Sequence, residues 1–404
     1  MVKRRPQLAM APDGTLFAVW DEEAEGTAAQ NGLELYYAWR TPGSGAWSAP
    51  RAIPATDRGR WPAPQKVSES HARIHVDDAG NLHVAYGAAL RPVSGVTQQS
   101  AYYVVGRDLT GATPAWTAPA RIDPAGSYLA AQDGVRLVVR PDPAGAHDAL
   151  GYVLWVGGTG NPTSLTRIGY QSATHSLAVV DPVPVVNPQN LSAGPVAALA
   201  AGDPALDGDA LRLVYAAKNG TSGNYYYGAS LALAPDGGTA WQSPAVGLST
   251  NVSDDCAVSG CLGATAALDT QGVLWLAAHW DSGTHTVRLT RHDGLTSPIT
   301  LDHGALTTRQ PVVTIDPATG RLYLLYATCT YASASTCTGR DLWYRSFADG
   351  TWSAPVLFGP AAGEQLDATG VAFNGQLHIL WVGRNQTGSL TGDQVYYLGV
   401  PAEG

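Results

Sequence analysis

With 404 residues, twelve Trp and eighteen Tyr, the chain is long enough to bury a large core and too aromatic to be disordered. A net charge of −9, with 24 Lys and Arg that form no cluster, excludes a nucleic-acid binder, which needs a basic face. No apolar run reaches the roughly 18 residues of a membrane span, and Met1-Val2-Lys3-Arg4-Arg5 passes straight into a strand pattern with no signal peptide between.

Along the chain one unit recurs: an apolar strand, a Gly turn, a second strand ending in Trp or Tyr, a variable loop, an aromatic strand, a short turn, then W-x-x-P. The first copy runs Gln7-Leu8-Ala9-Met10-Ala11, Asp13-Gly14, Leu16–Trp20, Leu35–Trp39 and Trp47-Ser48-Ala49-Pro50. The second has Ala79-Gly80, Leu82–Tyr86, Ala101–Val104 and Trp116-Thr117-Ala118-Pro119. The third is degenerate, with Tyr152–Trp155 and Leu165–Tyr170. The fourth shows Leu211–Tyr215, Tyr225–Tyr227 and Trp241–Pro244, and the fifth Gln271-Gly272, Leu274–Ala277 and Leu295–Pro298. The sixth has Thr319-Gly320, Leu322–Tyr326, Leu342–Tyr344 and Trp352–Pro355. The seventh has Asn374-Gly375, Leu377–Trp381 and Val395–Tyr397, without a W-x-x-P strand.

First strands are thus expected near residues 7, 72, 134, 195, 264, 311 and 369. A spacing of about 60 residues suits four strands of roughly 5–6 residues plus loops. No segment holds a helical period. Apolar runs in the two inner strands imply burial on both faces, as when blades stack radially and leave only short edges. The expectation is an all-β, single-domain β-propeller of seven four-stranded blades over residues 1–404, or six if the third copy is an insertion.

Loops are uneven. Turns after first and third strands are mostly short, whereas Asp21–Gly32, Gly87–Ser100, Ala327–Arg340 and Gly383–Gln394 are long, as are Pro54–His71 and Ser249–Leu262. Strand alternation puts the long loops on one rim, which reads as the binding face. Both cysteine couples, Cys256 with Cys261 and Cys329 with Cys337, fall in this set. The spacings C-x4-C and C-x7-C lack interleaved His and do not match zinc pairs, so two disulfides and an oxidising, extracellular or cell-surface location are expected, with no metal and no cofactor.

Ser346-Phe347-Ala348-Asp349-Gly350-Thr351-Trp352 resembles an Asp-box with shortened spacing, and Arg4-Arg5-Pro6 before Leu8–Leu16 resembles the opening of sialidases. The chain is therefore similar to the bacterial neuraminidase repeat propellers of the sialidase superfamily. The resemblance implies three arginines on a carboxylate, a Tyr nucleophile with a Glu partner, and an Asp acid/base. Bidentate Arg suits a carboxylate, and a carboxylate base raises Tyr nucleophilicity. Arg4 matches the first arginine; Arg309 holds the equivalent place in the sixth copy, and Arg136 stands near the third copy's first strand. Asp21, Glu22, Glu23 and Glu25 are acidic candidates, but no Tyr–Glu pair falls in a family motif.

Other candidates are His279, Trp280, Asp281 and His285 after a second strand, His71 and His75 near a first strand, and the acidic groups Asp203, Asp207, Asp209 and Asp254-Asp255. Loop aromatics Trp61, Tyr128, Trp280 and Tyr331 offer faces for sugars. With the catalytic set incomplete, the sequence reads as a non-catalytic recognition module for a glycan or surface protein. The alternatives are a sialidase-like glycoside hydrolase and a structural subunit of a surface assembly.

Overall fold

The computed structural model describes residues 3–23, 33–54, 66–91, 98–123, 135–155, 164–180, 183–184, 198–201, 205–207, 210–218, 224–233, 239–241, 246–247, 264–280, 286–291, 299–301, 307–333, 336–358, 364–384 and 394–401. Among these, every regular element is a β-strand, and every pairing is antiparallel. The described strands form seven sheets, distributed over two compact units, the first built on Lys3–Val186 and the second on Asn187–Ala234 and Thr239–Gly404.

The first unit holds three sheets. Sheet one runs β1 (Lys3–Met10), β2 (Leu16–Glu23), β3 (Leu33–Arg40), β4 (Arg51–Ala52). Sheet two runs β5 (Lys66–Val76), β6 (Leu82–Arg91), β7 (Gln98–Arg107), β8 (Ala115–Trp116), with β9 (Ala120–Arg121) also on β7. Sheet three runs β10 (Val135–Pro141), β11 (Ala149–Trp155), β12 (Ser164–Gln171), β13 (Ser176–Val179), with β14 (Val183–Pro184) on β12.

The second unit holds four. Sheet four contains β15 (Ala198–Ala201), β16 (Ala205–Asp207), β17 (Ala210–Lys218), β18 (Asn224–Leu233), β19 (Thr239–Trp241) and β20 (Val246–Gly247). Sheet five runs β21 (Ala264–Leu268), β22 (Leu274–Trp280), β23 (Thr286–Arg291), β24 (Ile299–Thr300). Sheet six runs β25 (Thr307–Ile315), β26 (Leu322–Ser333), β27 (Thr336–Ala348), β28 (Thr351–Trp352), with β29 (Val356–Phe358) on β27. Sheet seven is β30 (Glu364–Phe373), β31 (Gln376–Arg384), β32 (Gln394–Pro401).

Sheets one to three, and sheets five to seven, stack consecutively face to face. Phe17, Val19, Leu35 and Tyr37 of sheet one share a core with Leu82, Val84, Tyr86 and Val104 of sheet two. Tyr103 and Val105 continue into Val139, Val153 and Tyr170 of sheet three. Sheets five and six share Trp275, Leu289, Leu324 and Tyr326, and sheets six and seven share Leu325, Tyr344, Ile379 and Trp381. A middle strand therefore meets apolar neighbours on both sides, and every residue of β11 is buried.

Two turn devices explain the repeat. In sheets two, five and six the Asp opening the first turn accepts backbone N–H groups: Asp77 from Ala79 (3.1 Å) and Asn81 (2.7 Å), Asp269 from Gln271 and Val273 (both 2.9 Å), and Asp316 from Ala318 (3.0 Å). The Gly that follows has positive φ, +84° at Gly14, +81° at Gly80 and +74° at Gly272, which a Cβ would disfavour. In W-[ST]-x-P the Ser or Thr clamps one third-strand residue twice. Ser48 donates its N–H to Trp39 O (2.8 Å) and its hydroxyl accepts from Trp39 N (3.0 Å). Thr117 does the same with Val105 (2.9 and 3.0 Å), and Ser353 with Ser346 (2.8 and 2.9 Å).

Several expected positions shift. First strands begin at Lys3, Lys66, Thr307 and Glu364, earlier than the apolar alternation suggests, because each of these four carries a register shift near its start. The segment Ala327–Arg340, expected as a loop, is mostly hairpin, paired from Ala327↔Leu342 out to Ser333↔Thr336. Its Thr, Tyr and Cys residues favour a pleated backbone despite their polarity. Trp47, Trp116 and Trp352 are half-buried, since this part of the repeat lies at the outer edge of each sheet.

Candidate functional site

Four of the register shifts fall at one place in the repeat. They lie between Arg4 and Gln7, Ser70 and Arg73, Arg309 and Val312, and Leu366 and Thr369. Each is a β-bulge, which inserts extra backbone and re-aims a side chain. Three bulges hold a non-glycine residue in the left-handed region: Arg5 (φ +49°), His71 (φ +58°) and Asp367 (φ +48°). That conformation is uncommon for such residues and marks strained positions that cluster at functional sites.

In the first unit, two of these residues meet. Arg5 donates from Nη2 to Asp21 Oδ2 at 2.9 Å, and its Nη1 contacts the His71 ring, 3.0 Å from Nδ1 and closer to Nε2. Asp21 is wholly buried on β2, opposite Arg4 in the ladder. The Arg5 guanidinium thus ties sheet one to sheet two. Around it, Lys3 places its ammonium 5.9 Å from the Trp20 ring centre, and Trp20 stacks on Tyr36 at 6.4 Å. Trp20 Nε1 donates to Glu22 Oε2 at 2.9 Å. The cations Lys3, Arg4 and Arg5 are partly exposed, whereas the carboxylates Asp21 and Glu22 are buried, so this strand end faces solvent with its positive groups.

The arginines expected from the sequence separate. Arg4 and Arg309 do hold the same register position, each paired just before a bulge, Arg4 with Asp21 and Arg309 with Ala327. Arg309 belongs to the second unit, and its side chain lies outside the described residues. Arg136 is buried on β10, a strand without a bulge, and donates to the neighbouring Val135 carbonyl at 3.1 Å. Arg5 is the arginine that reaches the acidic group. The side chains of His279 and Trp280 at the end of β22, and all of Asp281, lie outside the described residues, as do Glu25, His285, Trp61, Tyr128, Cys256, Cys261 and Asp254-Asp255. Cys329 is buried on β26, and β27 brings position 337 opposite Tyr331.

A second polar constellation was not foreseen. His83 is fully buried between Tyr103 Oη (2.6 Å from Nδ1) and Asp77 Oδ2 (3.0 Å from Nε2). Burial pushes the Asp77 carboxyl up, but hydrogen bonds from His83 and Asn81 outweigh it and hold it below the usual range. Burial drives the Tyr103 phenol well above its ordinary value. The group sits at a first turn, where Asp269 likewise takes Trp275 Nε1 at 2.9 Å, so its role is to fasten the turn to the second strand. The recurring Asp of the turns and the polar residue one place into the following strand were the signal for it.

Glu69 and Tyr86 are also buried together, on β5 and β6. Burial, reinforced by the Glu69 charge, pushes the Tyr86 phenol well above its ordinary value. That is the opposite of what a phenolate nucleophile needs. Among the described residues no group of three or more His, Cys, Asp and Glu is arranged to hold a metal ion, and no helix is long and apolar enough to cross a membrane.

No family model matches the sequence, and no curated protein matches it. Solved structures share its fold at low identity. An ulvan lyase from a polysaccharide lyase family, solved bound to -[GlcA(1-4)Rha3S]-, aligns with a TM-score of 0.55 at 14% identity, over 98% of this chain and 91% of the lyase. A protein of unknown function from Dyadobacter fermentans aligns at 0.51 and 11% identity, over 100% of this chain and 95% of its own. A Hadza microbial sialidase aligns at 0.47 and 14% identity over 99% of this chain, which spans 66% of the sialidase's length.

Proposed function

We propose that the chain is an exported seven-bladed β-propeller that binds an acidic glycan, without catalysis, where the first strands bulge. The observation that carries this reading is the Arg5–His71–Asp21 cluster, with Lys3 and Arg4 beside it and both carboxylates buried. A positive strand end beside the partly exposed Tyr36 ring suits a sugar that offers a carboxylate or sulfate to the cations and an apolar face to that ring. The fold's likeness to a lyase solved with a glucuronate-containing ligand fits the same class.

The test is a binding panel of neutral, uronate-containing, sialylated and sulfated oligosaccharides, with reducing-end release measured on each. Acidic glycans should bind, Arg4→Ala and His71→Ala should each weaken binding about tenfold, and no reducing ends should form. Equal binding of neutral sugars, or wild-type affinity in both variants, would overturn the site. Turnover of any panel member would replace recognition with an enzyme reading.

A further inference from the structure

Arg5 and His71 meet in an arrangement that only one protonation state of the ring allows. Arg5 Nη1 lies 3.0 Å from His71 Nδ1 and closer still to Nε2. A guanidinium carries donors and no acceptor, so the ring nitrogen it meets must offer a lone pair. The ring in this contact is therefore the neutral imidazole. An imidazolium carries an N–H on both nitrogens and accepts nothing, so one added proton breaks the contact. Arg5 is still held when that happens, because its Nη2 donates to Asp21 Oδ2 at 2.9 Å. His71 stands on the bulge of β5 with φ +58° and is partly exposed, so protons from solvent reach it.

The groups around the ring decide what a protonated His71 would need. β5 packs against β1, β2, β3, β6 and β10. At this end of the strands β1 brings Lys3, Arg4 and Arg5, and β2 brings Asp21 and Glu22. β3 brings Glu34 and Tyr36, β6 brings Tyr86, β10 brings Arg136, and β5 itself carries Glu69 and Arg73. Asp21, Glu22 and Glu69 are buried, and the first two already accept from Arg5 and from Trp20 Nε1. Glu34 accepts from the Tyr36 hydroxyl at 3.2 Å. An imidazolium would thus join the partly exposed Lys3, Arg4 and Arg5, and an entering anion offsets that like-charge cost. We propose that His71 couples anion capture at this site to proton uptake: as a carboxylate or sulfate enters, the ring takes one proton from solvent, leaves Arg5 and donates an N–H to the anion. This rests on the reading of the site as one for acidic glycans, and adds that acid tightens its hold on them.

The probes are a glucuronate-containing tetrasaccharide and a galactose-6-sulfate tetrasaccharide, each titrated calorimetrically into the full chain from about pH 8 to about pH 5.5. Both acidic groups stay ionised over that range, since an ordinary carboxyl titrates near 4, so any slope reports the protein. The two arms show which anion the site takes. Affinity for the bound probe should rise about tenfold or more towards the acid end, as expected for an opposite charge brought against an imidazolium. By reciprocity, titration in two buffers of different ionisation enthalpy should show uptake of about half to one proton per site in the middle of the range. His71→Gln keeps an acceptor for Arg5 but takes no proton, so its pH slope and proton uptake should vanish. His75→Gln, which alters a ring already pushed down to about 4, should retain both. A probe that binds the parent with equal affinity at both ends of the range would overturn the coupling and leave the glycan site standing. A slope that survives in His71→Gln would overturn it too, by moving the proton to another group. Failure of both probes to bind at any pH would overturn the acidic-glycan reading itself, and the coupling with it.

Discussion

Removing the Arg5 guanidinium leaves the Asp21 carboxylate wholly buried without the partner that now sits 2.9 Å away. Breaking a buried ion pair from one side costs about 3–5 kcal/mol, because the remaining charge stays desolvated. The Arg5 side chain is 20% exposed, so water can follow it into the gap and the lower end, about 3 kcal/mol, applies. For a cooperative unit of the first unit's size, that is a fall in melting temperature of roughly 6–12 °C in Arg5→Ala. Asp21→Asn keeps the shape and a carbonyl acceptor but discards the charge, so it should cost less. The double variant should recover part of the sum, with a coupling energy of about 1–3 kcal/mol. Urea unfolding of the parent, the two single variants and the double variant measures the cycle. A coupling energy below about 0.5 kcal/mol, or an Arg5→Ala melting point within a degree or so of the parent, would refute the idea that this pair holds the bulged end of β1 onto β2.

Trp352→Ala should destabilise by about 2–3 kcal/mol, less than a fully buried ring would, because the indole packs against Phe347 at 5.2 Å while remaining half-exposed; calorimetric melting tests this. His75 is pushed down from 6.5 to about 4, first by burial and then by the His83 charge, against the pull of Asp77. A depressed histidine binds fewer protons folded than unfolded, so its contribution to stability is intact above pH 6.5 and is lost between 6.5 and about 4. His75→Gln should flatten the pH dependence of stability in that window, and an unchanged slope would refute the assignment. Cys329 and Cys337 should be joined by a disulfide, so thiol titration of the unreduced, unfolded chain should find neither reactive, and reduction should loosen the β26–β27 hairpin first in hydrogen exchange.

Much of the fold was legible because two strong signals coincide: period-two apolar strands and Asp–Gly turns. The second strands Leu16–Glu23, Leu82–Arg91 and Leu322–Ser333 begin where the sequence puts them. First strands were misplaced wherever a bulge breaks the alternation, since one extra residue reverses which side chains face the core. The same slip explains why Arg4 was favoured over Arg5. Adjacent arginines are indistinguishable by composition, and only the bulge, together with positive φ at Arg5, decides which one reaches Asp21. The Pro that follows in both Arg5-Pro6 and Gln310-Pro311 was a usable hint, because a residue without an N–H fits a broken ladder. The Asp77–His83–Tyr103 group stayed hidden because its members lie on three different segments, and only the pairing of β5, β6 and β7 joins them.

The bulges hold very different side chains, a guanidinium at Arg5, an imidazole at His71 and a carboxylate at Asp367, in nearly the same backbone conformation. Their strain is a property of the main chain and is already met by the sheet around it. The chemistry displayed at these positions can therefore drift by point substitution, from cation to acid to proton carrier, with little change in the ladder that carries it. Such a scaffold separates what it displays from how it stands up, and new specificities can be tried one residue at a time.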